Sequence, residues 1–374
     1  MRVDWIKRSR AKKTEGLTTK ASNSSPAELP SVLIPIFRAR AVLRLSYRRY
    51  TRMSQFNARR AIAKWSNRTG LGIKVLALTE ETRSRRWQVM IQPIRPTKRK
   101  KRSAHARLFG TGDLARKLRC AVIVAHPADE VVGAGCLISK LLDVTVLHIT
   151  DGAPCDMEDA EAAGFKERSD YADARKRECI SALAIANVPP NRVIDLEVPD
   201  HCASNCLADL TKRITAFLQH SAADIVVTHP YEGGHPDHDA TAFATHAALS
   251  LMRQNGLKPP ALFEMALHPS EDFKAKVSEF LPGSERETTT LLLDERATNL
   301  KRRMLACFET QRASLAVSPF GPEKFRQPST YDFTAPPNGG KLHYENFDWA
   351  PRRGEWQTLA SKALSDLFPN GIQH

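Results

Sequence analysis

The stretch Val122-Ile-Val-Ala-His-Pro-Ala-Asp-Glu130 decides the fold of this chain of 374 residues. Its small and β-branched apolar residues predict a short buried strand that ends at His126. Pro127 suits the first position of a following helix, which places Asp129 in the first helical turn. A carboxylate at that place is favoured by the helix dipole and stays ionised. The stretch therefore predicts a strand end that presents an imidazole and a carboxylate.

A second segment of similar design follows later in the chain, Val226-Val-Thr-His-Pro-Tyr-Glu-Gly-Gly-His-Pro-Asp-His238. It starts as a strand, turns at its two glycines and continues as an amphipathic stretch to Leu249. If that stretch is helical, His235 lies near its N-cap and His238 follows one turn later on the same face. Two imidazoles and one carboxylate leave a position for water, as in a catalytic zinc site. The predicted zinc ligands are His126, Asp129 and His238.

The chain from Leu118 onward alternates between strand and helix patterns. Strands are predicted at 120–125, 144–149, 192–196, 224–228 and 261–266, and the clearest helices at 172–186 and 207–219. Such alternation predicts an α/β fold, a Rossmann-like parallel sheet with helices on both faces, whose sites lie at the carboxyl ends of the strands. The C-terminal part is predicted to hold a helix at 294–312, a loop at 319–354 that could cover the site, and a helix at 356–367.

The two segments resemble the motifs of the PIG-L / LmbE-like family of zinc-dependent N-acetylglucosaminyl deacetylases. The resemblance extends over residues about 119–370 and includes Thr150-Asp-Gly-Ala153, the Arg175 and Glu178 pair, Val198-Pro-Asp200 and residues 304–311. It implies an LmbE-like fold, a Zn²⁺ cofactor, and hydrolysis of the N-acetyl group of an N-acetylglucosamine-like sugar or glycoconjugate.

The resemblance also implies roles for individual residues. His235 would be the imidazolium that stabilises the tetrahedral oxyanion and protonates the leaving amine, with Asp237 holding its protonation state. Arg175 and Asp200 would bind sugar hydroxyls. Two structural alternatives stay open: Arg175 can pair with Glu178 on a solvated helix face, and Asp200 can simply form a turn after a proline.

One position departs from the family. The first motif there usually has an Asp that acts as general base, and here that position is Ala128. Loss of a positioned base typically costs about 10² to 10⁴ in rate. Glu130, Asp151 and Glu232 are the carboxylates close enough in sequence to be considered as replacements, although Glu130 is expected to point away. A zinc-binding pseudoenzyme that binds amino sugars without turnover is therefore an alternative hypothesis.

The N-terminal third differs from the rest in charge. Residues 1–119 hold 31 Lys and Arg against 6 Asp and Glu, whereas the whole chain has a net charge of +15. This composition predicts a basic, low-order extension at 1–118 before an LmbE-like domain at 119–370. Its basic runs could bind nucleic acid through electrostatics, a third hypothesis for function.

Composition bounds the setting of the protein. No apolar stretch reaches the length of about 18 to 20 residues that a membrane helix needs. Seven cysteines at irregular spacing predict reduced thiols and a cytoplasmic location, and His201-Cys202 with Cys206 lacks the further pair that would complete a metal site. The sequence leaves the oligomeric state open.

Overall fold

The structure is a computed structural model. The residues that this structure describes are 2–6, 41–46, 73–81, 86–93, 103–110, 118–269, 276–277, 279–280, 287–316, 321–337, 340 and 342–371. The chain divides into two compact units, Met1–Lys101 and Arg102–His374.

The first unit contains a four-stranded antiparallel sheet in the order β1-β2-β4-β3. Its strands are β1 Arg2–Ile6, β2 Ala41–Ser46, β3 Ile73–Glu81 and β4 Arg86–Pro93. The residues between β1, β2 and β3 lie outside the described residues. The expected low-order extension at 1–118 therefore stays a prediction, and so does nucleic-acid binding by its basic runs.

The second unit is built on a seven-stranded sheet in the order β12-β13-β9-β8-β5-β6-β7. The five strands β9, β8, β5, β6 and β7 run parallel to one another. Strand β13 is antiparallel to β9, and β12 is antiparallel to β13. The predicted parallel sheet is thus confirmed for its main part, and the whole sheet is mixed. Its strands are β5 Arg119–Val124, β6 Asp143–Pro154, β7 Val193–Asp200, β8 Ile225–Thr228, β9 Ala261–Met265, β12 Thr288–Leu291 and β13 Glu323–Arg326; β10 His268–Pro269 and β11 Lys276–Val277 form a separate ladder.

Helices connect these strands. They are α1 Ala104–Leu108, α2 Asp129–Lys140, α3 Glu158–Ala162, α4 Arg168–Ile185, α5 Leu207–Ser221, α6 Pro236–Gln254, α7 Glu295–Leu305, α8 Arg312–Ala316 and α9 Arg353–Leu367, with 3-10 turns at Pro190–Arg192, Ala203–Cys206 and His343–Asn346. The predicted helix at 294–312 ends at Leu305, and the predicted loop at 319–354 contains β13. Among the described helices, none combines the length and apolar character that crossing a membrane requires.

The sheet separates two hydrophobic cores. Because side chains alternate along a strand, Val122 and Val124 of β5 enter the core under α2, α4 and α7, whereas Ile123 enters the core under α5, α6 and α9. All three residues are fully buried. A strand buried on both faces explains the nearly continuous apolar run at the start of the first motif.

The turn between β5 and α2 differs from the sequence prediction. Pro127 does not begin the helix, since α2 begins at Asp129 and Ala128 precedes it with a φ of 103°. The backbone N–H of Ala128 donates to Glu130 Oε2 at 3.1 Å. The Glu130 carboxylate in the first turn of α2 thus stabilises the unusual backbone conformation of Ala128.

Candidate active site

The site lies at the carboxyl ends of β5 and β8, which are adjacent parallel strands. The two strand ends are joined by bonds from Thr228 Oγ1 to Ile123 O, at 2.8 Å, and from Ala125 N to His229 Nε2, at 3.0 Å. A His-Pro pair follows each strand, directly after β8 and after Ala125 in the case of β5. The pairing of the strands therefore brings the two motifs to one place.

The structure brings the three predicted metal ligands together. Asp129 Oδ2 lies 3.0 Å from His126 Nδ1 and 3.3 Å from His238 Nε2. Asp129 is fully buried, and both imidazoles are nearly so. Two ring nitrogens and one carboxylate oxygen are the donor set that zinc prefers at catalytic sites. Among the described residues, donor atoms within 4.8 Å of one another are found in Asp129, His229 and His238, and also in His126, His235 and His238. The three predicted ligands are divided between these two neighbouring groups, and either group has donors of the kind that zinc takes.

A further imidazole joins this cluster. His229 Nε2 lies 3.5 Å from Asp129 Oδ2, and the His229 ring stacks on His238 with centroids 3.9 Å apart. Together with burial, His229 lowers the pKa of His238 well below its usual value, so that ring is neutral as a metal ligand must be. The sequence analysis did not predict a role for His229. Its signal in the sequence is the first His-Pro pair of the second segment, His229-Pro230.

Two carboxylates lie on the other side of His126. Its Nε2 is 2.9 Å from Asp200 Oδ1 and 3.4 Å from Asp237 Oδ2. Burial lowers the pKa of His126, but Asp200 and Asp129 outweigh it and raise that pKa well above its usual value. A metal ion would displace this proton from the ring. Asp200 thus orients His126, as a carboxylate behind a ligating imidazole does.

The carboxylate of Asp237 has partners that the sequence did not predict. It accepts hydrogen bonds from His201 N at 2.7 Å and Ala203 N at 3.1 Å. These contacts fix the backbone that follows β7. The backbone N–H of Asp237 donates to His235 Nδ1 at 3.2 Å. The expected role of Asp237 in holding the protonation state of His235 stays a prediction.

His235 lies next to the cluster as the N-cap of α6. Its ring centroid is 4.7 Å from that of His126 and 5.2 Å from that of His238. Burial and these two imidazoles lower the pKa of His235 well below its usual value. Because Nδ1 accepts the bond from Asp237 N, the neutral ring is assigned its proton at Nε2. His235 can therefore donate a hydrogen bond from Nε2.

Arg175 of α4 forms hydrogen bonds at the carboxyl ends of β5 and β6. Its guanidinium donates to Pro127 O at 2.8 Å and to Gly152 O, and lies 3.9 Å from Asp200 Oδ2. The close approach explains Gly152, where a Cβ would lie 2.5 Å from the Arg175 Nη1 atom. Arg175 is 4% exposed, so it does not pair on a solvated helix face. The expected binding of sugar hydroxyls by Arg175 and by Asp200 stays a prediction.

The three carboxylates considered as replacement bases are engaged elsewhere. Glu130 accepts from Cys179 Sγ at 3.3 Å and lies 3.2 Å from His148 Nε2, so it points away from the cluster as expected. Asp151 pairs with Arg168 at 2.6 Å, and Glu232 pairs with Arg326 at 3.1 Å. The carboxylates that do contact the His cluster are those of Asp129, Asp200 and Asp237.

The fold and the site together define an α/β protein with a buried His and Asp cluster able to hold a metal ion at the carboxyl ends of its parallel strands. Residues 121–249 match the model of the PIG-L family, described as GlcNAc-PI de-N-acetylase. The matched segment contains both motifs. The resemblance to this family is thereby confirmed for that segment.

Several solved structures are similar to this chain. The A40926 pseudoaglycone deacetylase Dbv21 is 20% identical, with 56% of this chain and 96% of that chain covered and a TM-score of 0.44. The N,N'-diacetylchitobiose deacetylase from Pyrococcus horikoshii is 20% identical, with 53% and 72% covered and a TM-score of 0.36. GalB, the 4-carboxy-2-hydroxymuconate hydratase from Pseudomonas putida KT2440, is 17% identical, with 57% and 99% covered and a TM-score of 0.38. No curated protein matches the sequence.

Proposed function

We propose that the second unit is a zinc-dependent N-deacetylase that hydrolyses the N-acetyl group of an N-acetylglucosamine-like sugar or glycoconjugate. The observation that carries this proposal is the position of Asp129 Oδ2, at 3.0 Å from His126 Nδ1 and 3.3 Å from His238 Nε2. The family match at residues 121–249 supports it, because the family is described by de-N-acetylation.

His126, Asp129 and His238 would hold the metal ion. A bound Zn²⁺ polarises a carbonyl and lowers the pKa of a water molecule to about 7. These side chains are shielded from bulk solvent, since Asp129 is fully buried and the two imidazoles are 6% and 7% exposed. Exclusion of water strengthens every electrostatic interaction in the site.

His235 supplies the hydrogen-bond donor of the reaction. Its Nε2–H donates a hydrogen bond to the amide oxygen as negative charge develops there and keeps its proton, because the ring is neutral. The proton that the attacking water releases is the one that the leaving amine takes up. The bond from Asp237 N to His235 Nδ1 fixes the ring for this purpose. Asp200 holds His126 from behind through its Nε2 atom. The products are acetate and the free amino sugar.

Ala128 motivates a second candidate, a zinc-binding protein that holds amino sugars without turnover. A methyl group at this position cannot take a proton from water, and Glu130, Asp151 and Glu232 have other partners. A positioned base is typically worth about 10² to 10⁴ in rate, so a slow deacetylase is compatible with this site.

Zinc content and acetate release test the proposal on the full chain. We expect about one zinc ion per chain, because three protein ligands and one open position form a single catalytic zinc site. We also expect the protein to release acetate from an N-acetyl sugar. His126→Ala and His238→Ala should each lose most of the metal. His220→Ala is the matched control, because His220 is exposed at the end of α5. Unchanged zinc in both site variants would contradict the ligand assignment.

A further inference from the structure

A cleft of about 760 Å³ opens beside the His cluster. Its volume is within the range of small-molecule sites, roughly 300 to 1,000 Å³. The residues that matter for its chemistry are His201, Asn205, Asp348, Trp349, Arg352 and Thr358. They come from the segment after β7 and from the C-terminal segment.

A stacked aromatic pair forms one wall of the cleft. The rings of His201 and Trp349 are 3.6 Å apart between centroids and 5° from parallel. Trp349 is nevertheless 39% exposed, whereas Trp356, on the following helix, is 1% exposed. The His201 ring covers one face of the indole, and the Phe347 ring lies 5.5 Å from it between centroids at 25°. The part of the indole that stays exposed is apolar and held in place, which suits packing against a sugar ring.

This wall is continuous with the proposed catalytic residues. The His235 ring is 5.7 Å from His201 and 5.5 Å from Trp349 between centroids, and 4.7 Å from His126. His201 is also fixed to the site through its backbone N–H, which donates to Asp237 Oδ2 at 2.7 Å. A molecule whose acetamide reaches the His cluster can therefore extend over the indole into the cleft.

The charges of the cleft favour an uncharged occupant. Arg352 is the one Lys or Arg side chain among its described lining residues, and its guanidinium is bound to Glu345 O and to Asp348 Oδ1. Asp348 and Glu355 add two carboxylates to the same lining. A phosphate would meet these carboxylates without a free cation, and like charges disfavour such binding. Asn205 and Thr358 are suited to hydroxyl groups.

We propose that this cleft is a subsite for an uncharged sugar ring, attached to the N-acetylated sugar whose acetamide reaches the His cluster. The substrate class is then a neutral oligosaccharide or glycoconjugate, and a phosphoinositide conjugate is disfavoured. This inference rests on the proposed function, because it places the acetamide at the His cluster.

Three probes test the subsite in the full-length protein: free N-acetylglucosamine, an N-acetylglucosaminyl disaccharide with a neutral second ring, and an N-acetylglucosaminyl inositol phosphate. An aromatic contact is worth about tenfold. We expect kcat/KM for the disaccharide to exceed that for the monosaccharide about tenfold, and Trp349→Ala to remove most of this ratio. Trp349→Phe should keep part of it. Leu142→Ala is the control, since Leu142 is 71% exposed and lies at the amino end of β6, whereas the site lies at the carboxyl ends of the strands.

A binding measurement separates the subsite from the activity. Calorimetry with the same disaccharide lacking its acetyl group should show affinity about tenfold weaker in Trp349→Ala than in the wild type. If this loss occurs but no sugar releases acetate, the subsite stands and the deacetylase proposal fails. If acetate is released and neither affinity nor the kcat/KM ratio depends on Trp349, the subsite is wrong and the activity stands. A preference for the inositol phosphate conjugate over the neutral disaccharide overturns the inference as well.

Discussion

Ala128 has a backbone conformation that side chains other than glycine rarely adopt. Its φ is 103°, it is 2% exposed, and its N–H is held by Glu130 Oε2 at 3.1 Å. Such a conformation costs on the order of 1 to 3 kcal/mol and persists only where the surroundings impose it. Asp and Asn tolerate positive φ better than alanine does. The backbone at Ala128 therefore suits the Asp that the family usually has there.

Ala128→Asp should restore a general base. The added carboxylate would follow His126 directly and precede Asp129, so it can take a proton from a water held there. We expect acetate release to rise by about 10² or more, the lower end of what a positioned base contributes. Ala128→Asn is the matched control, because it has nearly the same shape and cannot accept the proton.

The size of the response to Ala128→Asp distinguishes the two candidate functions. A large gain identifies a disabled deacetylase. No gain in a protein that is already active means that another carboxylate acts as base, and Asp200 and Asp237 are the ones that contact the cluster. If neither form releases acetate from any N-acetyl sugar although both hold zinc, the deacetylase proposal is wrong and the binding-only function replaces it.

A buried network connects the elements behind the site. His148 of β6 lies 3.2 Å from Glu130 Oε2 and 2.9 Å from Asp195 Oδ1, and Asp195 also pairs with Lys176 of α4 at 2.8 Å. Burial alone would raise the pKa of Asp195, but the bonds from His148 and Lys176 outweigh it and lower that pKa to about 2. Strands β6 and β7 and helices α2 and α4 are thus joined by one chain of charges.

Asp195→Asn should destabilise the protein in a pH-dependent way. Because the folded-state pKa lies below the unfolded value, the ionised group stabilises the fold above about pH 4, and this contribution is lost as the pH falls towards 2. We expect a loss of about 2 kcal/mol in unfolding free energy at pH 7. Urea unfolding from pH 7 to pH 3 checks this. A difference between wild type and Asp195→Asn that stays constant over this range would contradict it.

Helix α2 is held by a buried ion pair from two other elements. Lys301 Nζ of α7 donates to Val132 O at 2.7 Å and pairs with Glu323 Oε1 at 3.1 Å. The Glu323 carboxylate, on β13, accepts from the backbone N–H groups of Cys136 and Leu137. Side chains of α7 and β13 therefore bond to backbone groups inside α2, the helix that begins at the His and Asp cluster.

Glu323→Gln should cost about 3 to 5 kcal/mol, since it leaves the fully buried Lys301 without a counter-charge. The double variant Lys301→Met with Glu323→Gln should recover part of this loss, because the unpaired charge is gone. Denaturant unfolding of the three proteins measures both effects. A double variant less stable than Glu323→Gln alone would show that the bond from Lys301 to Val132 O dominates.

The central elements were predictable, whereas contacts between distant segments were not. Strand β5 and helix α6 follow from apolar runs, prolines and an N-cap His, all of which are local signals. Strands β12 and β13 were missed because Thr288–Leu291 and Glu323–Arg326 are short and mostly polar. The partners of Asp237 and Trp349 depend on how β7, α6 and the C-terminal segment meet. No local pattern encodes that meeting, so the contacts of the Asp237 carboxylate and of Trp349 could not be predicted from the sequence.

At the scale of the whole molecule, the second compact unit begins at Arg102. Leu108 is 3% exposed and belongs to the core under α2, α4 and α7. The Phe109 ring lies 5.6 Å from Phe263 and 5.3 Å from Phe325 between centroids. These residues fall inside the predicted extension at 1–118. We propose that the boundary lies between residues 101 and 102, where the two compact units separate.

The last prediction concerns this boundary. A chain shortened to residues 102–374 should fold cooperatively and keep its zinc, whereas one shortened to residues 118–374 should be less stable by about 2 to 5 kcal/mol. The difference is the burial of Leu108, at roughly 1.5 to 3 kcal/mol for a fully buried side chain, and a smaller amount for the partly buried Phe109. Leu108→Ala in the full chain should cost about 2 to 5 kcal/mol, and Leu142→Ala, at an exposed leucine, close to nothing. Denaturant midpoints and zinc content measure both comparisons. Equal midpoints for the two shortened chains would place the boundary after residue 117, and loss of zinc and solubility in the longer one would show that the first unit is needed for the fold.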